Sequence, residues 1–301
     1  MTDAPRYGQR APETRQEQCP RHPGVPAVSY CKRCNRPACA DCSIPTEVGS
    51  ICVDCAGATA ARKARFASGG SPWGRPGARR GTSATAAAPV TLTLIVINVV
   101  MFILQQFSSE VVNWLAFNPI FGYLQPWRLL TAAFVHGSFM HLLFNMLMLY
   151  LIGSSVEHAL GWWRYLSVYL LSAVGGSMLI IGWVMVQPQS AATWTVGASG
   201  ALYGLLAAIL ILQKRAGMST TSILVLLAVN LIYSFTMSNV SWQAHVGGFL
   251  MGLLATAVFV WAADTFRSRG QKTLTGMSLV ALGVLILLSV AGTWGLYALI
   301  S

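Results

Sequence analysis

Seven long apolar runs follow one another from residue 90 to residue 299, and they constrain the fold of this chain more than any other feature. Each is roughly 20 residues long, which is enough for a helix to cross about 30 Å of hydrocarbon. A segment inside a bilayer must satisfy its backbone hydrogen bonds internally, so these runs predict helices. The predicted spans cover residues 90–107, 137–157, 162–186, 197–213, 219–236, 242–263 and 274–299. The chain is therefore expected to be an all-α polytopic membrane protein.

The distribution of basic residues predicts how these spans are oriented. Only 10% of the residues are charged, against about a quarter in soluble domains. Most basic residues of the membrane region lie in alternate connections, whereas the other connections are nearly free of them. They are Arg164, Lys214, Arg215, Arg267, Arg269 and Lys272. Excess Lys and Arg marks the cytoplasmic side. We therefore expect a multi-pass protein of the cell membrane with a cytoplasmic N-terminus, whose second, fourth and sixth spans enter from the outer face.

All seven cysteines lie before residue 56, in the segment CPRHPGVPAVSYCKRCNRPACADCSIPTEVGSICVDC. With one histidine they form four pairs of equal spacing: Cys19 and His22, Cys31 and Cys34, Cys39 and Cys42, Cys52 and Cys55. Eight such ligands suit two closed tetrahedral zinc sites, which stabilise domains too small for a core. Disulfides are the alternative, but the number is odd and the expected compartment is reducing. The pattern predicts a zinc-binding domain at residues 19–56 that binds a cytoplasmic protein partner.

The remaining polar segments are expected to lack a fold of their own. Residues 1–18 are predicted to be a disordered N-terminus, and residues 57–89, rich in Ala, Gly, Ser, Pro and Arg, a flexible linker. The basic residues of the linker, Arg75, Arg79 and Arg80, lie just before the first span. This position favours the lipid bilayer as their partner, and no nucleic acid partner is predicted.

Few chemically active side chains remain inside the predicted spans once scattered Ser and Thr, which can bond back to their own helix, are set aside. His141 and Asn145 lie four residues apart and share a helix face near the outer start of the second span. Ser199 lies at the outer start of the fourth span, and His245 at the outer start of the sixth. Because these spans enter from the same face, the four side chains are expected to converge at one depth.

This combination is suited to nucleophilic catalysis. An imidazole such as His245 can deprotonate the Ser199 hydroxyl for attack on a carbonyl, and His141 and Asn145 can donate hydrogen bonds to the resulting oxyanion. Small-residue clusters and single membrane histidines are also common structural features, so it is their conjunction that favours catalysis. No HExxH motif is present, and no catalytic metal is predicted.

Glycines surround the candidate nucleophile. Gly197 and Gly200 flank Ser199 and would let backbone and substrate approach it closely. Gly248 and Gly252 form a small-residue stripe after His245, suited to packing against the fourth span. The carboxylates after residue 90 are Glu110, Glu157 and Asp264, and none lies at the expected depth. We therefore expect a Ser–His dyad whose imidazole is oriented by packing, with Tyr203 as the candidate neighbour.

Four linked motifs resemble the rhomboid family of intramembrane serine proteases over roughly residues 90–265. They are WR at Trp127 and Arg128, HGSFMHLLFN from His136 to Asn145, GASG around Ser199 and AHVGGFLMG after His245. The resemblance implies that Ser199 is the nucleophile and His245 the general base. It also implies that His141 and Asn145 stabilise the oxyanion together with the Ser199 backbone amide.

The same resemblance implies a rhomboid-like six-helix core at residues 90–265. Residues 266–301 would then add a seventh transmembrane helix that takes no part in the chemistry. Trp127 and Arg128 would belong to the first outer loop and support the fold, although a Trp–Arg pair is also typical of a simple interfacial anchor.

The cysteine segment resembles B-box and related zinc-binding modules, in which alternate pairs share a metal. That resemblance implies one ion held by Cys19, His22, Cys39 and Cys42, and a second held by Cys31, Cys34, Cys52 and Cys55. Sequential pairing remains open.

The expected function is cleavage of transmembrane or near-membrane segments of other membrane proteins, with no cofactor needed for catalysis. Substrates should be helices that unwind, because an intact helix hides its carbonyls in hydrogen bonds. The alternative is a non-catalytic rhomboid-like protein that binds membrane clients. A transporter is less consistent with the absence of midplane charges.

Overall fold

The computed structural model of the 301-residue chain describes residues 17–46, 49–57, 88–237 and 240–300. The chain divides into two compact units, Met1–Arg65 and Phe66–Ser301. The predicted disordered N-terminus and flexible linker fall mainly on residues 1–16 and 58–87, which lie outside the described residues.

The first unit is a small domain of two β-hairpins. Strand β1 (Ser29–Tyr30) pairs antiparallel with β2 (Pro37–Ala38), and β3 (Ser43–Thr46) pairs antiparallel with β4 (Gly49–Cys52). A single 3-10 turn, Ala40–Cys42, connects the hairpins. Among the described residues of this unit, the buried ones are Cys19, Cys31, Ala38, Cys39, Cys42 and Cys52. Because almost all of them are cysteines, the domain has little apolar core to stabilise it.

Among its described residues, the second unit contains one helix for each predicted span. They are α1 (Pro89–Phe107), α2 (Phe139–Leu160), α3 (Trp162–Val184), α4 (Ser199–Ala216), α5 (Thr221–Thr236), α6 (Trp242–Phe266) and α7 (Gln271–Ile300). Within the described residues, α1, α2, α3, α6 and α7 are long and apolar enough to cross a membrane, and α5 is a shorter apolar helix. The fourth helix begins at Ser199, two residues later than predicted, because Gly197 has a φ of +119° that a helix cannot contain.

The connection between α1 and α2 is itself folded. It contains the short helices Ser109–Leu115, Pro119–Gly122 and Arg128–Thr131, followed by the 3-10 turn Ala132–Phe134. Phe117 and Thr195 exchange backbone hydrogen bonds of 3.0 and 2.8 Å. This bridge joins the first loop to the segment just before α4, where the candidate nucleophile lies.

Helix α6 packs along α3 and α4, and glycines allow the helices to approach closely. A Cβ added at Gly248 would collide with the backbone of Gly200, and one at Gly252 would collide with the backbone of Gly204. On the other side of α6, a Cβ at Gly247 would collide with the carbonyl of Gly175 in α3. The predicted small-residue stripe thus forms the contact between α4 and α6 and brings their N-terminal ends together.

Candidate active site and metal centre

The first residue of α4 and the first turn of α6 meet at one end of the helix bundle. The Ser199 Oγ atom lies 2.8 Å from the His245 Nε2 atom, which is a hydrogen-bond distance. The His245 side chain is buried and that of Ser199 is partly accessible. The structure therefore brings together the two residues that the sequence singled out as nucleophile and base.

Two neighbours hold the imidazole of His245 in place. The ring of Tyr203, one turn along α4 from Ser199, stacks on it with the ring centroids 4.3 Å apart and the planes inclined by 12°. The second neighbour is Ser234 of α5, whose Oγ lies 2.6 Å from His245 Nδ1. Tyr203 was the expected packing partner, whereas Ser234 was among the serines set aside. Its sequence context carries no signal, since a membrane serine usually bonds to its own helix, as Ser234 also does.

Of the two expected oxyanion donors, His141 lies beside the segment that precedes Ser199. The imidazole of His141 packs against Gly197, where any Cβ would collide with the ring. The side-chain amide of Asn145 donates to the His141 carbonyl at 2.9 Å, which leaves its second N–H hydrogen for another acceptor. Within the described residues, no hydrogen bond joins either side chain to Ser199. The first backbone N–H groups of α4 also have no partner within the helix and give its start a partial positive charge.

His136 supports the segment just before Ser199 through contacts with Ala198 and His141. Its buried ring accepts a hydrogen bond from the Ala198 backbone N–H, at 3.5 Å, and lies edge-on to the ring of His141. Its backbone is held by the Gln105 side chain of α1, which accepts from the His136 N–H at 3.1 Å. These contacts connect α1 to the residue just before Ser199.

Trp127 and Arg128 hold the first loop together. The Arg128 guanidinium is buried and donates to the Ala116 carbonyl at 2.7 Å and to the Gln125 side chain. The Trp127 indole donates to the Trp114 carbonyl at 3.1 Å. All these partners lie inside the loop, so the two residues do more than anchor it at an interface.

No carboxylate contacts His245 within the described part of the chain. The Glu157 carboxylate accepts hydrogen bonds from the Val90 and Thr91 backbone N–H groups, and so caps the start of α1. Asp264 pairs with Arg215. A carboxylate that could act with Ser199 and His245 in a triad is therefore not found among these residues.

The eight ligand candidates of the first unit come together in two groups. One contains Cys19, His22, Cys39 and Cys42, and the other contains Cys31, Cys34, Cys52 and Cys55, with the ligand atoms of each group within 4.8 Å of one another. This is the interleaved pairing and not the sequential one. All seven cysteines are free, so the disulfide alternative is not observed.

The distances within each group fit a tetrahedral metal site. His22 Nδ1 lies 3.3 Å from Cys39 Sγ and 3.5 Å from Cys42 Sγ, and the sulfurs of Cys34 and Cys52 are 3.8 Å apart. Zinc–ligand bonds of about 2.0–2.3 Å place tetrahedral ligands roughly 3.3–3.8 Å apart. Four protein ligands would fill all coordination positions of a tetrahedral zinc ion and leave none for water, which is typical of a structural and not a catalytic site.

Each group contains one thiol that ionises readily. A hydrogen bond from the Cys39 backbone N–H lowers the pKa of Cys19 from 9.0 to about 6. The Cys52 backbone N–H lowers the pKa of Cys31 to about 6 in the same way. Burial raises the pKa of Cys42 to about 11, and the Cys52 side chain raises that of Cys55 to about 12. Because thiolate is the form of cysteine that binds a metal, the lowered pKa values make Cys19 and Cys31 readily available as ligands in their groups.

Comparison with known proteins supports both units. The Rhomboid domain model matches residues 123–262, and the B-box zinc finger model matches residues 14–47. The latter match ends before Cys52 and Cys55, so it does not cover the whole second group. The chain therefore resembles two separate families, as the sequence motifs predicted.

Several curated relatives are rhomboid proteases. Rhomboid protease GluP of Bacillus subtilis is 32% identical over 207 residues, which are 64% of this chain and 39% of the relative. Rhomboid protease GlpG of Pectobacterium atrosepticum is 32% identical over 177 residues, 56% of this chain and 62% of the relative. Rhomboid protease AarA of Providencia stuartii is 27% identical over 214 residues, 60% of this chain and 76% of the relative. The chain thus spans less than two thirds of the length of the first two.

Proposed function

We propose, from the rhomboid domain that the second unit of this chain carries, that the protein is an intramembrane serine endopeptidase. The observation that carries this proposal is the 2.8 Å contact between Ser199 Oγ and His245 Nε2. It lies between the closely packed helices α4 and α6. A purely structural pair would not need a partly accessible hydroxyl beside a buried imidazole.

The proposed reaction follows from this geometry. Ser199 Oγ attacks the scissile carbonyl carbon while His245 Nε2 takes the hydroxyl proton. The oxyanion receives hydrogen bonds from the Ser199 backbone N–H and from the side chains of His141 and Asn145. The imidazolium then protonates the leaving amine, and an acyl ester remains on Ser199. Water, deprotonated by His245, hydrolyses this ester and restores the hydroxyl.

The proposed substrates are transmembrane or near-membrane segments of other membrane proteins. A helix has its carbonyls in internal hydrogen bonds, so it must unwind before Ser199 can reach one. Segments with small or helix-breaking residues meet this requirement at the lowest energetic cost. The N-terminus would be cytoplasmic and water would reach Ser199 from the outer side, as the basic connections indicate.

For the first unit we propose a structural role for two zinc ions, one in each ligand group. Zinc would replace the missing apolar core, because binding energy at such sites is folding energy. Filled tetrahedral sites do not bind water, so the domain would recruit a cytoplasmic protein and not catalyse a reaction.

The rival function is non-catalytic binding of membrane clients, which would leave the fold unchanged. Labelling of the purified full-length protein with an activity-based serine-hydrolase probe distinguishes the two. We expect Ser199→Ala to abolish labelling and cleavage of a model transmembrane substrate, whereas Ser289→Ala, a buried serine of α7, should change neither. Cleavage that persists in folded Ser199→Ala would contradict the proposal.

A further inference from the structure

We infer that Ser234 is a positioning residue that selects the tautomer of the neutral His245 imidazole, an inference that rests on the proposed function. Ser234 lies in the last turn of α5 and is only 2% exposed. Its Oγ makes two short contacts of 2.6 Å, one with His245 Nδ1 and one with the backbone carbonyl oxygen of Asn230. Together with Ser199 these groups form a continuous chain of hydrogen bonds.

The number of hydrogens available determines which group donates in each of these hydrogen bonds. A serine hydroxyl carries one hydrogen, and a carbonyl oxygen can only accept. The contact with Asn230 therefore uses the hydrogen of Ser234, because two oxygens 2.6 Å apart without a hydrogen between them repel each other. Ser234 Oγ must then accept from His245, which places the imidazole hydrogen on Nδ1.

Because His245 donates from Nδ1 to Ser234, its other nitrogen, Nε2, can act as the acceptor toward Ser199. A neutral imidazole has one hydrogen, so a protonated Nδ1 leaves Nε2 with its lone pair free. This lone pair faces Ser199 Oγ at 2.8 Å. The opposite tautomer would present an N–H to Ser199 and could not take its proton.

The same contacts become stronger when His245 accepts the proton of Ser199. The Nδ1–H bond to Ser234 is then donated by a cation, and such bonds are roughly twice as strong as neutral ones. Ser234 thus occupies the position that a carboxylate fills in a triad, without the cost of a buried charge. It orients His245 and neither gains nor loses a proton overall.

The direct test is nitrogen-15 NMR of the full chain labelled at histidine. The signal of His245 is identified by its loss in His245→Gln, because the chain contains five histidines. We expect a hydrogen on Nδ1 and none on Nε2 when the imidazole is neutral. A hydrogen on Nε2 instead would overturn the inference without any measurement of activity.

The kinetic test uses two substitutions of nearly equal shape. Ser234→Thr keeps the hydroxyl and Ser234→Val replaces it with a methyl group, so they differ only in the group that contacts His245. We expect Ser234→Val to lower kcat about 10- to 100-fold relative to Ser234→Thr, with KM little changed, since a bond to a charged group is lost. Ser289→Ala is the control, because Ser289 is also buried and, among the described residues, its hydroxyl bonds only to its own helix, at the Leu285 carbonyl.

The outcomes separate this inference from the proposed function. Equal kcat in the folded Thr and Val variants, with Ser199→Ala inactive, would overturn the role of Ser234 and leave the protease proposal intact. Cleavage by Ser199→Ala would instead overturn the protease proposal, while the NMR result would still report the tautomer. If neither Ser234 variant folds, the spectrum of the wild-type chain decides alone.

Discussion

The aromatic ring of Tyr203 lies parallel to the imidazole of His245, with the ring centroids 4.3 Å apart and an interplanar angle of 12°. Tyr203 follows Ser199 by one helical turn of α4, while His245 belongs to α6. The stack therefore ties the orientation of the candidate base to the helix that carries the candidate nucleophile. It contacts one face of the imidazole, whereas Ser199 and Ser234 contact its two nitrogens.

The first prediction concerns this stack. Tyr203→Phe keeps the ring and should retain nearly full activity. Tyr203→Ala removes the ring and should lower kcat roughly 2- to 13-fold, because stacked aromatic pairs contribute about 0.5–1.5 kcal/mol beyond burial. Steady-state cleavage of a model substrate in detergent measures both. A Phe variant as impaired as the Ala variant would mean that the hydroxyl, and not the ring, supports His245.

The second prediction concerns the oxyanion donors. Loss of one such donor lowers turnover roughly 10²- to 10³-fold, so Asn145→Ala should reduce kcat more than it raises KM, and less if His141 compensates. Asn98→Ala is a suitable control. Like Asn145, Asn98 is buried and its side-chain amide donates to a carbonyl of its own helix, that of Leu94, but this helix is α1. Unchanged turnover in Asn145→Ala would restrict Asn145 to helix packing.

The third prediction tests the glycine contact between α4 and α6. Gly248→Ala places a methyl group inside the backbone of Gly200 and should destabilise the folded protein by about 1–3 kcal/mol. Gly283→Ala, in α7, meets nothing within 4 Å and should be neutral or slightly stabilising. Thermal unfolding in detergent compares the two. Similar stabilities would show that α4 and α6 can separate at little cost.

The fourth prediction concerns the metal content of the first unit. The purified full-length protein should contain about two zinc ions per chain, and both should be lost when Cys34 and Cys42 are replaced together by Ser, because each substitution removes a ligand from one group. Metal analysis by mass spectrometry measures this directly. Absence of zinc from the wild-type protein would show that the cysteine groups serve another purpose.

The same double variant tests whether the two units function separately. All candidate catalytic residues belong to the second unit, so cleavage of a model substrate by the Cys34→Ser, Cys42→Ser protein should stay within about twofold of wild type. A membrane unit that remains folded but loses activity would show that the zinc-binding unit acts on catalysis.

Much of the architecture followed from local patterns. The apolar runs predicted the seven main helices of the described residues, because a chain in hydrocarbon has no other way to satisfy its backbone. Five of these helices are long and apolar enough to cross a bilayer. The spacing of cysteine pairs predicted a metal-binding domain, and the linked motifs around His141, Ser199 and His245 predicted the site. These features are readable because each depends on residues close together in sequence or on a strict compositional requirement.

Other features depended on contacts that no local pattern records. Sequential and interleaved pairing of the cysteines have the same spacing, and only the arrangement of the two hairpins selects the interleaved groups. Ser234 forms the same bond to its own helix that many membrane serines form. Its second contact exists because α5 and α6 place it beside His245 Nδ1. The sequence by itself determined which groups could react, whereas the packing of the helices decided which hydrogen bonds direct them.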